Sequence, residues 1–283
     1  MNHRKNFLSA CLLGLVALAG GTSPALAAGA PLLGAASNFA VLSAAPLGGG
    51  AVTCTNSTIT GDVGSSGAPA SIVQTSCTIT GSAIAPVSAQ VLTGFNGAYD
   101  ALAAVSCDQT LTGTLAGVTL APGVYCFPAA ATLTGTLTLA GPANGIWIFK
   151  IGTSGTGALT GTNFSVVMAN GAQACNVYWW VAEAATMTTS DFKGTILAGA
   201  AITLTGGTFN GNALAKAAVT LTGVAATGCK SGSVKPSKQR CNQGVGNGPE
   251  ACDPGNSNQG NPFRSNDELG GVPGNPGRKG GNR

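Results

Sequence analysis

Thr203-Leu204-Thr205-Gly206 is one copy of a tetrapeptide that keeps returning. Thr58–Gly61, Thr78–Gly81, Thr110–Gly113, Thr132–Gly135 and Thr220–Gly223 share the form Thr-Ile/Leu-Thr-Gly, and Ala158-Leu159-Thr160-Gly161 is a relative. In the tightest pairs the starts lie 20, 22 or 17 residues apart (58 to 78, 110 to 132, 203 to 220). Recurrence near that period marks a stacked architecture in which each coil is one supersecondary unit. Side chains alternate along a strand, so the two Thr of a tetrad point to one side and the Ile or Leu to the other. The Gly then permits a sharp corner. Each coil thus turns an aliphatic residue inward and hydroxyl-plus-methyl groups outward, and a pile of such coils has a flat, Thr-bearing wall.

Outside the repeats, the start of the chain reads as a leader. Arg4 and Lys5 precede an apolar run from Phe7 to Ala19, then Ala25-Leu26-Ala27. This predicts a secretory signal over residues 1–27 and an extracellular address. The run is too short for a membrane span. In Leu8-Ser9-Ala10-Cys11 the apolar stretch follows the cysteine, which argues against a lipoprotein cleavage box. Beyond the leader stand Cys54, Cys77, Cys107, Cys126, Cys175, Cys229, Cys241 and Cys252. An even set in a secreted chain suggests disulfides, but eight cysteines allow 105 pairings. Neighbour pairing (54–77, 107–126, 175–229, 241–252) is the simplest. No Cys-x-x-Cys occurs and the single histidine is His3, so no metal site or cofactor is expected.

Charge is sparse over residues 28–229. Lys150, Lys193 and Lys216 stand against Asp62, Asp100, Asp108, Glu183 and Asp191, a net −2. The overall net +4 therefore belongs to the ends of the chain, and nothing points to a basic nucleic-acid surface. Val91, Leu92, Phe95, Tyr99, Leu102 and Val105 follow at helical spacing. They predict one helix over 87–106 beside the stack, weakened at Gly94 and Gly97 by about 1 kcal/mol each relative to Ala. The apolar runs 145–151 and 176–181 suit strands covered on both faces, under that helix. Exposed Tyr178 and Trp180 would suit stacking on sugar rings, but Trp is usually well buried, so core packing is the preferred reading. After Cys229, Gly, Pro, Asn and Ser dominate, and residues 230–283 read as a mostly disordered tail. Asp253, Asn256 and Asn258 there offer oxygens for weak calcium binding, but a linker with one disulfide is preferred.

Several stretches carry a family likeness. They are Leu33-Gly34-Ala35-Ala36-Ser37-Asn38-Phe39-Ala40-Val41-Leu42, Leu120-Ala121-Pro122-Gly123-Val124-Tyr125, Gly145–Ile151, Asn170–Val177, Phe192–Ala198 and Gly211–Ala215. In this order, over roughly residues 31–228, the chain resembles the bacterial and fungal ice-binding-like domain family. The resemblance implies an all-β fold with one flanking helix: a discontinuous right-handed parallel β-solenoid, triangular in section. It also implies ice binding by one flat face through motifs such as Thr-Ala/Gly-x-Thr/Asn. Three stretches here are similar: Thr160-Gly161-Thr162-Asn163-Phe164, Thr188-Thr189-Ser190-Asp191-Phe192 and Thr205-Gly206-Gly207-Thr208-Phe209. The second has Asp191 where Thr or Asn is usual. Their shared Phe suggests one register, with Thr160, Thr188 and Thr205 in one row. The candidate ice-contacting residues are Thr160, Thr162, Asn163, Thr186, Thr188, Ser190, Thr203, Thr205 and Thr208.

The chemistry of such a wall is intelligible. Stacked strands repeat at about 4.8 Å, and same-side residues along a strand at about 6.6 Å. Both are similar to repeats of the ice lattice. A β-branched Thr is stiff and loses little entropy on contact. Yet Thr is also simply a good strand residue on a solvated face, and a solenoid has three outer faces, so not every tetrad faces ice. Enzyme readings fare poorly. With no histidine beyond His3, Ser-His-Asp and Cys-His sites are excluded. The scattered carboxylates form no evident glycosidase pair. The reading is a secreted, monomeric, non-enzymatic protein whose partner is an ice surface. The alternative is a surface adhesion or structural module without ice activity.

Overall fold

The computed structural model describes residues 29–229. The expected leader 1–27 and tail 230–283, and with the tail the expected pairing of Cys241 with Cys252, lie outside the described residues.

Consider the coil that begins at Val177. Val177–Val181 forms a first face. The chain then enters Ala185–Lys193, whose first half, through Thr188, forms a second face. Thr189, at φ 46°, turns the corner, and the second half forms a third face. Thr195–Ala198 opens the next coil directly above Val177–Val181. Every ladder recorded is parallel: one sheet of nine strands makes the first face, and a second sheet, bent at the corner, makes the other two. The expected β-solenoid with one helix alongside is what the chain forms.

The discontinuity is visible in the strand order. The chain starts in the coil of Phe39–Ser43, Val52–Thr55 and Thr58–Thr60. It adds one coil on one side, ending at Ala83–Ile84, and then leaves through the helix Ala89–Ala104. It resumes at Gln109–Thr110 at the opposite end of the stack and winds back, until Ala213–Ala215 and Val219–Thr222 dock on Phe39–Ser43 and Val52–Thr55.

Two cores result. Inside the coils, rings form a continuous column: Tyr125 to Phe149, Phe149 stacked on Trp179 at 3.9 Å, Trp179 to Phe192, and Phe192 stacked on Phe209. The second core lies between the helix and the first face. There Val91, Phe95, Ala98, Tyr99 and Leu102 meet Val124, Ile148, Tyr178, Trp180 and Leu197. Tyr178 and Trp180 are buried under the helix, so they present no sugar-stacking surface. The helix is shorter than expected by two residues at each end. At its C-terminus the buried Lys150 donates from Nζ to the carbonyls of Ala103 and Val105, a cation placed where the helix dipole favours one. Burial lowers the pKa of that amine.

Disulfides join Cys54 to Cys77, Cys107 to Cys126 and Cys175 to Cys229, as neighbour pairing expects. The first ties the terminal coil to its neighbour, the second anchors the chain as it leaves the helix, and the third holds the end of the last coil.

Candidate functional site

The second face is a threonine ladder. Six of its strands read Thr-x-Thr, with both Thr outward and x buried or lacking a side chain: Thr132/Thr134, Thr160/Thr162, Thr186/Thr188, Thr203/Thr205, Thr220/Thr222 and Thr53/Thr55; the terminal strand reads Val73-Gln74-Thr75. The ladder pairs them in register. One row runs Thr132, Thr160, Thr186, Thr203, Thr220, Thr53. The other runs Thr162, Thr188, Thr205, Thr222, Thr55 and on to Thr75 in the terminal strand. Adjacent Thr are therefore about 4.8 Å apart across the ladder and about 6.6 Å along each strand.

Local sequence explains why these positions are straight and flat. The residues between the Thr pairs (Leu133, Met187, Leu204, Leu221, Cys54) fill the core, so each strand is anchored from behind. The next residue in every coil turns the corner with positive φ: Gly135, Asn163, Thr189, Gly206, Gly223, Asn56 and Ser76. Glycine does this without a Cβ clash, and Asn tolerates it. At the β-branched Thr189 the side chain donates to Asn163 Oδ1 at 2.6 Å, a bond between stacked corners.

Among the described residues no charged side chain stands on this wall. Lys150 lies under the helix, Asp100 and Lys216 pair at 3.8 Å on the helix side, and Asp191 and Lys193 belong to the third face. Among the described residues, the threonine hydroxyls that hydrogen-bond to protein are those of Thr153, Thr189, Thr195 and Thr208. None of these is a member of the two rows.

Of the residues expected from sequence, Thr160, Thr162, Thr186, Thr188, Thr203 and Thr205 stand on this wall, and Asn163 stands at its corner. Ser190 and Thr208 do not. A strand alternates with period two, which would place Ser190 beside Thr188. The corner residue Thr189 shifts that alternation by one, so Ser190 turns inward: it is 3% exposed, donates to the Thr188 carbonyl at 2.9 Å and accepts from Phe164 N at 3.3 Å. Thr208 lies past the corner of its own coil, on the third face, and donates to Asp191 Oδ1. Asp191 is therefore no interruption of the wall.

The single row of Thr160, Thr188 and Thr205 is also corrected. Thr188 pairs with Thr205, but Thr160 pairs with Thr186 in the other row. Phe164 follows its corner directly, whereas Phe192 and Phe209 come two residues later, so the first motif is displaced by two. Thr53, Thr55, Thr132, Thr134, Thr220 and Thr222 are wall residues that motif matching missed. Thr-x-Thr followed by a residue that accepts positive φ finds them, although it also finds Thr58–Gly61, which lies on the third face.

On the opposite side, a cleft of about 230 Å³ is lined by Leu33, Ser37, Tyr178, Thr195, Asn212 and the Cys175–Cys229 disulfide among others. Its lining has no carboxylate, amine or imidazole with which to move a proton.

The sequence profile of a family described as ice-binding-like matches residues 47–227. An ice-binding protein of Nostoc sp. (strain HG1) is 38% identical over 202 residues, 68% of this chain and 71% of that one. The crystal structure of an ice-binding protein from the Antarctic ascomycete Antarctomyces psychrotrophicus superposes with a TM-score of 0.57 at 31% identity, over 70% of this chain and 98% of its own. An ice-binding protein from an Arctic yeast, whose structure was solved to explain its antifreeze activity, gives 0.60 at 27% identity over 68% and 91%. The profile match, spanning nearly all of the described coils, and the Nostoc relative place this chain in the ice-binding-like family.

Proposed function

We propose that the protein adsorbs to ice through the wall of the second face, and so blocks growth and recrystallisation of ice. The observation that carries this reading is the unbroken register of two threonine rows on a rigid, uncharged surface. Stiff Thr side chains hold methyls and hydroxyls at fixed spacing, and ordered water bridging to the surface can itself serve as the contact. The family relatives, each named for ice binding, support the same reading.

The wall is complete within one chain, so a monomer suffices. Three disulfides fit an oxidising compartment, and with the leader they support an extracellular site of action. The test is the purified chain in an ice-recrystallisation assay and under a microscope at controlled undercooling. Arrested grain growth and faceted crystals are expected. Crystals that coarsen as they do in buffer alone would leave a structural or adhesive role.

A further inference from the structure

We propose that the third face is a second, latent ice-binding surface, kept off ice by the Asp191–Lys193 ion pair. This rests on the reading of the wall given above. The third face is made of the same strands continued past the corner, so it has the same spacing. Thr78, Thr58, Ala225 and Thr208 follow one another in one row, and Thr60 pairs with Thr227 in the next. Beyond the ion pair, Ser165 pairs with Thr136, and Thr138 with Val167 and Thr119. Most of these side chains are as short as those of the wall, and the core behind them is as firm: Phe164, Phe192, Phe209 and Ala226 are buried.

The pattern breaks in the middle strand. The Asp191 carboxylate, 49% exposed, accepts from Lys193 Nζ at 2.7 Å and from Thr208 Oγ1. Three consequences follow. The lysine, 22% exposed, brings a cation onto a face of short side chains. Both charges hold hydration shells oriented by charge, not by an ice-like net, and stripping such shells is costly. The hydroxyl of Thr208 is committed to the carboxylate instead of to water. A single pair placed midway along the face leaves no uninterrupted patch comparable to the wall. Adsorption is then one-sided, and the helix and third face stay in the liquid.

The experiment uses the full chain and measures the fraction taken up into slowly growing ice, in three forms. They are the unaltered protein, T188Y/T205Y to obstruct the wall, and T188Y/T205Y/D191T/K193T to clear the third face as well. All four positions point outward, and Thr is a favourable strand residue, so Tm should stay close to that of the parent in each. The unaltered chain should enter ice, the obstructed form should lose uptake several-fold, and the cleared form should regain it several-fold. D191S/K193S in the obstructed background should restore uptake in the same way, which guards against a folding defect peculiar to one variant. If the cleared forms are folded and remain in the liquid, the latent face is refuted while the wall reading stands. If the unaltered chain stays out of ice, or the obstructed form enters it undiminished, the wall reading falls and the inference falls with it.

Discussion

Thr222 pairs in register with Thr55, although one lies in the last coil of the chain and the other in the first. The same seam pairs Thr220 with Thr53 in the wall, and Val41 with Ala213 on the first face. The wall is thus continuous only because the two ends of the domain dock on each other.

A staple holds the end of the last coil. Cys229 ends the last coil and is bonded to Cys175, closing a loop of 54 residues. Loop closure of this length stabilises by about 4 kcal/mol in the chain-entropy account. Reduction of the protein, or Cys229→Ser, should move the midpoint of denaturant unfolding markedly downward. The far-UV circular dichroism of the undenatured protein should stay that of a β-protein, because the stacked core remains. An unmoved midpoint, or loss of the β spectrum on reduction alone, would contradict this.

Tyr99 makes stability sensitive to alkali. Its ring lies under Lys216, 3.8 Å from the amine, and its hydroxyl donates to the Val181 carbonyl at 3.1 Å. Burial, with a smaller contribution from the Asp100 charge, pushes its pKa from 10.0 to about 12. The folded state therefore holds a proton that the unfolded chain releases. The associated stability is fully present below pH 10 and is lost as pH rises from 10 toward 12. A shift of this size corresponds to at most about 2–3 kcal/mol. Unfolding midpoints of the parent should fall over that window more steeply than those of Tyr99→Phe; parallel curves would refute the assignment.

The two glycines of the helix should respond in opposite directions. Gly97 faces open space, and Ala there should stabilise by about 0.5–1 kcal/mol through better helix propensity. At Gly94 an added Cβ would lie 2.5 Å from the Leu33 carbonyl oxygen, so Gly94→Ala should lower Tm despite the same gain in propensity. Two thermal melts decide the matter; a stabilising Gly94→Ala would mean that the turn of residues 34–38 is not held against the helix.

Much of the fold is legible in the sequence. The tetrapeptide recurrence gives the coils, the spacing from Val91 to Leu102 gives the helix, and the six described cysteines pair as neighbours. The site is only half legible, for three physical reasons. The same Thr-x-Thr-Gly serves two faces: Thr203–Gly206 lies on the wall, whereas Thr58–Gly61 lies beyond the corner. Thr189 bends the chain without glycine and resets the alternation, which hides Ser190 inside. And the seam that adds Thr53 and Thr55 joins coils far apart in the chain, so no local period announces it.

Thr55 and Thr58 therefore make the sharpest comparison. They are neighbours in sequence, separated by the corner at Asn56 and the buried Ser57. Thr55 stands in the wall between Thr222 and Thr75, outside any tetrad, while Thr58 opens a tetrad and stands on the third face. Ice-recrystallisation inhibition should be measured for Thr55→Tyr and Thr58→Tyr at equal concentration, with Tm as the control for folding. The account predicts a several-fold loss for Thr55→Tyr, little change for Thr58→Tyr and an almost unmoved Tm in both. A larger loss at Thr58 than at Thr55 would contradict it, because the ice-binding surface would then lie on the third face.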